Sequence, residues 1–158
     1  GCFLWTENPE SHPLLKNLGP EPLGNQFNGQ YLFNVSRGRK TPIKSFIMNS
    51  KFIVGVGNIY ANEALFRAKI KPNRQAGRIS LKRYEKLSKE IVIILRESIE
   101  QGGTTLRDFV GSNNKPGYFK QQLEVYGRQG EECKLCSSVL KSLIIGQRSS
   151  VYCPKCQN

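Results

Sequence analysis

Apolar residues recur most regularly between Ser80 and Glu100. Leu81, Tyr84, Leu87, Ile91, Ile94, Leu95 and Ser98 fall at three- and four-residue spacing, which lines one face of a helix. Ser80 is placed to cap its start, and Gly102-Gly103 stops the pattern. A second stripe, Ile59, Ala61, Leu65 and Ala68, predicts a helix over 59–68 with Asn58 as its N-cap, entered through the flexible turn Val54-Gly55-Val56-Gly57. Pro42 suits the first turn of a short helix over 42–49. Weaker patterns suggest short helices around Leu14–Leu18, after Thr104-Thr105 and over Phe119–Tyr126. A Gly/Asn/Pro-rich loop falls at 111–118. The first 30 residues carry turn pairs such as Asn8-Pro9, Gly19-Pro20 and Asn28-Gly29 and read as an extended entry segment. From Cys133 onward the pattern changes to short strands, Leu140–Ile145 and Ser150–Tyr152, with Gly146–Ser149 as the turn between them. The expected fold class is mainly α, with a β-hairpin at the C-terminal end.

Charge narrows the partner. The 158 residues carry 24 Lys and Arg against 12 Asp and Glu, a formal +12. Residues 31–60 hold five basic side chains and no acid, a stripe suited to a phosphate backbone. With one Asp and one His in the chain, catalysis by a carboxylate pair or a His-based triad is poorly supplied. No apolar run approaches the ~20 residues of a membrane span, and no secretory signal is visible, so a cytoplasmic location is expected.

Four of the five cysteines have the spacing Cys133-x2-Cys136, sixteen residues, Cys153-x2-Cys156. Each Cys-x2-Cys forms a knuckle presenting two thiolates, and a hairpin between the knuckles brings them together. This favours one Zn2+ over two disulfides or an iron–sulfur centre. Four thiolates leave no open coordination position, so the zinc is expected to be structural. Arg148 lies in the turn, where it could reach a minor groove or a phosphate. Cys2 stands apart, with no expected role.

The run Val54-Gly55-Val56-Gly57-Asn58-Ile59-Tyr60-Ala61-Asn62-Glu63 resembles the helix–two-turn–helix signature of bacterial formamidopyrimidine-DNA glycosylases. Leu18-Gly19-Pro20-Glu21-Pro22-Leu23, Gly102-Gly103-Thr104-Thr105-Leu106-Arg107-Asp108-Phe109, Lys115-Pro116-Gly117-Tyr118-Phe119, Val125-Tyr126-Gly127-Arg128 and Gly146-Gln147-Arg148 fit the same family in the same order. The resemblance implies an entry segment (1–30), a helix–two-turn–helix DNA-binding domain (31–127) and a zinc finger (128–158). It also implies a nucleoid-associated, monomeric enzyme of base-excision repair. Such an enzyme removes oxidised purines such as 8-oxoguanine and formamidopyrimidines from double-stranded damaged DNA and nicks the strand by β- and δ-elimination.

Residue by residue, the resemblance assigns Asn58, Lys44, Arg39, Lys40 and Tyr60 to DNA contact, with Lys44 facing the phosphate near the lesion. Arg148 is assigned both as a phosphate contact and as proton donor for δ-elimination. A guanidinium with a pKa above ~12 is better suited to the contact than to the acid role. Glu63 also matches, with a structural role as plausible as a functional one. The family's nucleophile is an N-terminal proline followed by Glu, on a preceding β-sandwich domain. This sequence starts Gly1-Cys2-Phe3 instead. It is therefore expected to be the DNA-gripping part, inactive alone, since no lysine shows a sequence sign of the buried, pKa-lowered setting a Schiff base needs. From charge and cysteines alone, two alternatives stand: a non-catalytic zinc-ribbon module for nucleic acid, and a structural zinc protein whose basic surface has no ligand.

Overall fold

The computed structural model describes residues 12–102 and 123–158. The elements run α1 (Pro13–Lys16), α2 (Gly29–Ser36), α3 (Ile43–Ile47), α4 (Asn58–Arg67), a 3-10 turn (Ala76–Arg78), α5 (Leu81–Glu100), β1 (Lys141–Ile145) and β2 (Arg148–Tyr152). The mainly helical reading with a C-terminal hairpin holds. The helix expected after Thr104-Thr105 and the loop at 111–118 lie outside the described residues. Of the helix expected over Phe119–Tyr126, residues 123–126 are described, and they form bends and a turn rather than a helix.

Helix α5 buries the stripe its periodicity predicts: Tyr84, Leu87, Ile91, Ile94 and Ser98 are all buried. Helix α2 is not expected from the sequence, because Asn28-Gly29 reads as a turn. Asn28 instead caps the helix, its side chain accepting a hydrogen bond from the Tyr31 amide at 2.8 Å. Gly29 is required there by packing: a Cβ would fall 2.4 Å from the Glu85 Cα, so α2 and α5 cross at backbone distance. The principal core gathers Leu32 of α2, Ile43, Phe46 and Ile47 of α3, Ala61, Ala64 and Leu65 of α4, and the α5 stripe. Phe46 stacks on Phe52 with ring centroids 4.7 Å apart and meets Tyr84 edge-on at 6.4 Å.

Helix α4 is the centre of the molecule. Every residue from Ala61 to Phe66 is buried, and the helix packs against α3, α5 and β2. Phe66 leaves the principal core for a second apolar cluster under the hairpin, with Val125, Cys133, Leu140, Val151 and Cys153. The hairpin is antiparallel, pairing Ile145 with Arg148 across a two-residue turn. Gly146 and Gln147 both have positive φ, 54° and 60°, the geometry of a tight turn matched to strand twist. Arg148 is thus the first residue of β2 rather than part of the turn.

Candidate metal centre and nucleic-acid interface

The two knuckles converge. The Cys133, Cys136, Cys153 and Cys156 Sγ atoms lie within 4.8 Å of one another. Three pairs are separated by 3.5, 3.5 and 4.0 Å. A tetrahedron of Zn–S bonds of about 2.3 Å has edges of about 3.8 Å, so the donor set fits one zinc ion. None of the four is paired in a disulfide, in keeping with the zinc reading. Hydrogen bonds from Ser138 pull the Cys136 thiol down to about 6, while burial raises Cys153 and pushes Cys156 up to about 12. A bound divalent cation is what lets four adjacent thiols ionise together.

The ribbon is fastened to the helical body by polar side chains that the sequence does not single out. Asn62, on α4, accepts a hydrogen bond from the Val151 amide at 2.8 Å and donates to the Asn58 carbonyl at 2.7 Å. Gln157 accepts from the Cys153 amide and donates to the Ile70 carbonyl, each at 2.8 Å. Glu63 is buried, and its carboxylate accepts from the amides of Glu124, Val125 and Tyr126 at 2.8–3.0 Å. Its role is therefore structural. The available signal is a polar pair, Asn62-Glu63, set inside the otherwise apolar run Ala61–Phe66.

The residues assigned to DNA contact divide by exposure. Arg39, Lys40 and Arg148 are exposed. Arg39 donates to the Val35 carbonyl at 2.7 Å, and its guanidinium lies 4.3 Å from the Phe52 ring centroid. Asn58 does not cap α4. Gly57 holds the cap position, and Asn58 is the first helical residue, half-exposed beside the open Gly55 and Gly57. The shift of one residue makes the exposed Gly57 the entry to α4 and puts Asn58 in its first turn. Tyr60 is half-buried, and its hydroxyl hydrogen-bonds Ser98 at 2.7 Å.

Lys44 departs furthest from expectation. It is 0% exposed, and its Nζ donates to the Ser149 carbonyl at 2.6 Å and the Ser150 hydroxyl at 2.8 Å. Burial, with the Arg148 charge nearby, lowers its pKa from 10.5 to about 8. No sequence sign marks a lysine as buried with a lowered pKa, yet Lys44 has that setting, because the desolvating partner arrives from 105 residues away in the chain. Lys44, Ser45, Met48 and Asn49 face Ile145, Gly146 and Arg148 across a cleft of about 280 Å³. No helix among the described residues is long and apolar enough to cross a membrane.

Comparison with known proteins places these features together. Residues 18–110 match the formamidopyrimidine-DNA glycosylase H2TH domain, and residues 130–158 match the zinc finger found in FPG and IleRS. A formamidopyrimidine-DNA glycosylase of Ectopseudomonas mendocina is 58% identical over 157 residues, covering 99% of this chain and 58% of the relative. The crystal structure of the MutM (Fpg) protein of Thermus thermophilus superposes with a TM-score of 0.86 at 36% identity, covering 92% of this chain and 55% of that one. A point mutant of Lactococcus lactis FPG, solved with DNA containing Fapy-dG, gives 0.84 at 30% identity, covering 92% and 53%. The chain thus spans somewhat more than half the length of these proteins.

Proposed function

Since this chain belongs to the formamidopyrimidine-DNA glycosylase family, we propose that it is the DNA-gripping part of a bifunctional base-excision repair enzyme, one that excises oxidised purines and cleaves the resulting abasic strand by β- and δ-elimination. The observation that carries this reading is the joint placement of the α3 end and the hairpin turn around one cleft, with the exposed Arg148 guanidinium at its rim. The 31–127 body supplies the first turn of α4 with the half-exposed Asn58, and Arg39 and Lys40 add exposed charge on the same body. The 128–158 finger supplies Arg148. A duplex kinked at a damaged nucleotide offers its phosphates to both at once, whereas a straight duplex suits one better than the other. Fapy-dG is the lesion held by the Lactococcus lactis relative, which supports an oxidised purine as the target.

Zinc, when bound, holds the two knuckles and supplies no chemistry to the substrate. Arg148 neutralises a phosphate next to the flipped nucleotide. In δ-elimination its fixed charge stabilises the departing phosphate, a role that needs no proton transfer from a guanidinium. The test is equilibrium binding of the zinc-loaded chain to an abasic-site duplex, the matching undamaged duplex and an RNA duplex. Tighter binding to the abasic duplex, weakening steeply with salt, is expected. Equal affinity for all three would favour a general zinc-ribbon nucleic-acid module instead.

A further inference from the structure

We infer that Lys44 is a positioning residue for Arg148 and makes no DNA contact of its own. The inference rests on the reading of Arg148 as a phosphate contact. Lys44 lies on α3 in the wall of the cleft, yet it has no exposed surface and its ammonium is turned to the hairpin strand. The ammonium spends two of its three protons on the hairpin strand, one on the Ser149 carbonyl at 2.6 Å and one on the Ser150 hydroxyl at 2.8 Å. The Ser150 hydroxyl in turn donates to the Arg148 carbonyl at 3.4 Å. A chain of hydrogen bonds therefore runs from α3 to the backbone of Arg148 itself.

Three further features make this chain a strut. Ser150 is fully buried, so no water competes for its hydroxyl. The neighbouring residue, Val151, is held by Asn62 on α4, which fixes the far end of the same strand. The turn at Gly146 sits against α3, where an added Cβ would lie 3.5 Å from the Ser45 Oγ. The zinc site fixes the base of the ribbon, and Lys44 fixes its tip. Arg148 gains a defined position over the cleft, and among the described residues no carboxylate forms an ion pair with it that would compete with a phosphate for its guanidinium.

The experiment measures the salt dependence of binding to an abasic-site duplex for the zinc-loaded chain and for Lys44→Met, Arg148→Ala, Ser150→Ala and the Lys44→Met/Arg148→Ala double variant. One phosphate contact contributes a slope of about 0.9 in log affinity against log salt. Lys44→Met and Arg148→Ala should each lower the slope by that one contact and weaken binding roughly tenfold. The double variant should lose no more than Arg148→Ala alone. A double variant losing two contacts would show that Lys44 touches a phosphate itself and would overturn the inference. A Lys44→Met chain that is less stable but keeps the full slope would reduce Lys44 to a purely structural residue and overturn it equally. If Arg148→Ala leaves the slope unchanged, the underlying reading of Arg148 fails and the inference with it. Ser150→Ala keeps the ammonium and its Ser149 bond, so it decides the matter should Lys44→Met not fold. It should weaken binding by a smaller factor, and an unchanged affinity counts against the strut.

Discussion

A lysine ammonium taken out of water loses several kcal/mol of hydration, and Lys44 recovers part of this from two oxygens on the hairpin. The remaining deficit appears in its pKa, lowered from 10.5 to about 8 by burial and then by Arg148, the charged group facing it across the cleft. The sign of the consequence is fixed by proton counting. Below about pH 8 both folded and unfolded chains hold the proton, and the cost of burying the charge is fully present. Between about pH 8 and 10.5 the folded chain has released the proton while the unfolded chain still binds it, so stability from this group rises with pH. The full span is worth roughly 3 kcal/mol. The stability of the parent chain minus that of Lys44→Met, from denaturant midpoints at each pH, should climb across this window. A difference that is flat or falls would mean that Lys44 is not desolvated.

At the scale of elements, the ribbon depends on metal in a way the helices do not. A two-stranded hairpin is marginal in water, and among the described residues the apolar cluster beneath it holds six buried side chains, two of them zinc ligands. The helical core is a separate cluster centred on α4 and α5. Removing zinc with a chelator should therefore abolish the hydrogen-exchange protection of the Val151 amide, which bonds Asn62, while amides between Leu87 and Ile94 on α5 keep theirs. Simultaneous loss of both would show one cooperative unit instead. Legibility in the sequence follows the same division. Helix α5 is readable because seven positions repeat on one face, and the metal site because thiolate geometry dictates the Cys spacing. Helix α2 is not, because its buried set includes Gly29 and Ser36, which carry no apolar signal, and its cap pair imitates a turn. Asn58, one residue inside its helix, shows that a capping residue type next to a glycine leaves the boundary ambiguous by one position. The burial of Lys44 is hidden for a different reason: its partners lie across the whole helical body, and no local pattern records a contact of that separation.

At the scale of the molecule, the excess of +12 suits a polyanion such as the proposed DNA partner but supplies no chemistry on it. Strand cleavage through a Schiff base needs an amine that is neutral near pH 7 and free to reach a sugar carbon. An N-terminal α-amine, with an ordinary pKa of ~7.7, meets both conditions, and the family places a proline there. Lys44 meets the first in part, at about 8, and fails the second, because its nitrogen faces two hairpin oxygens with no exposed surface. The two requirements are separable by experiment. The zinc-loaded chain mixed with abasic-site duplex and borohydride should form no covalent adduct through Lys44, so any trapping by the chain should be unchanged in Lys44→Met. The same sequence joined behind a Pro-Glu-initiated β-sandwich domain from a relative should form one, and should still form it when Lys44→Met is introduced. An adduct formed by the chain alone and lost in Lys44→Met would make Lys44 a nucleophile, with the hairpin opening to admit the sugar. In that event the contact of Lys44 with Ser149 and Ser150 would be a closed resting state rather than a permanent strut, and the positioning role would be overturned.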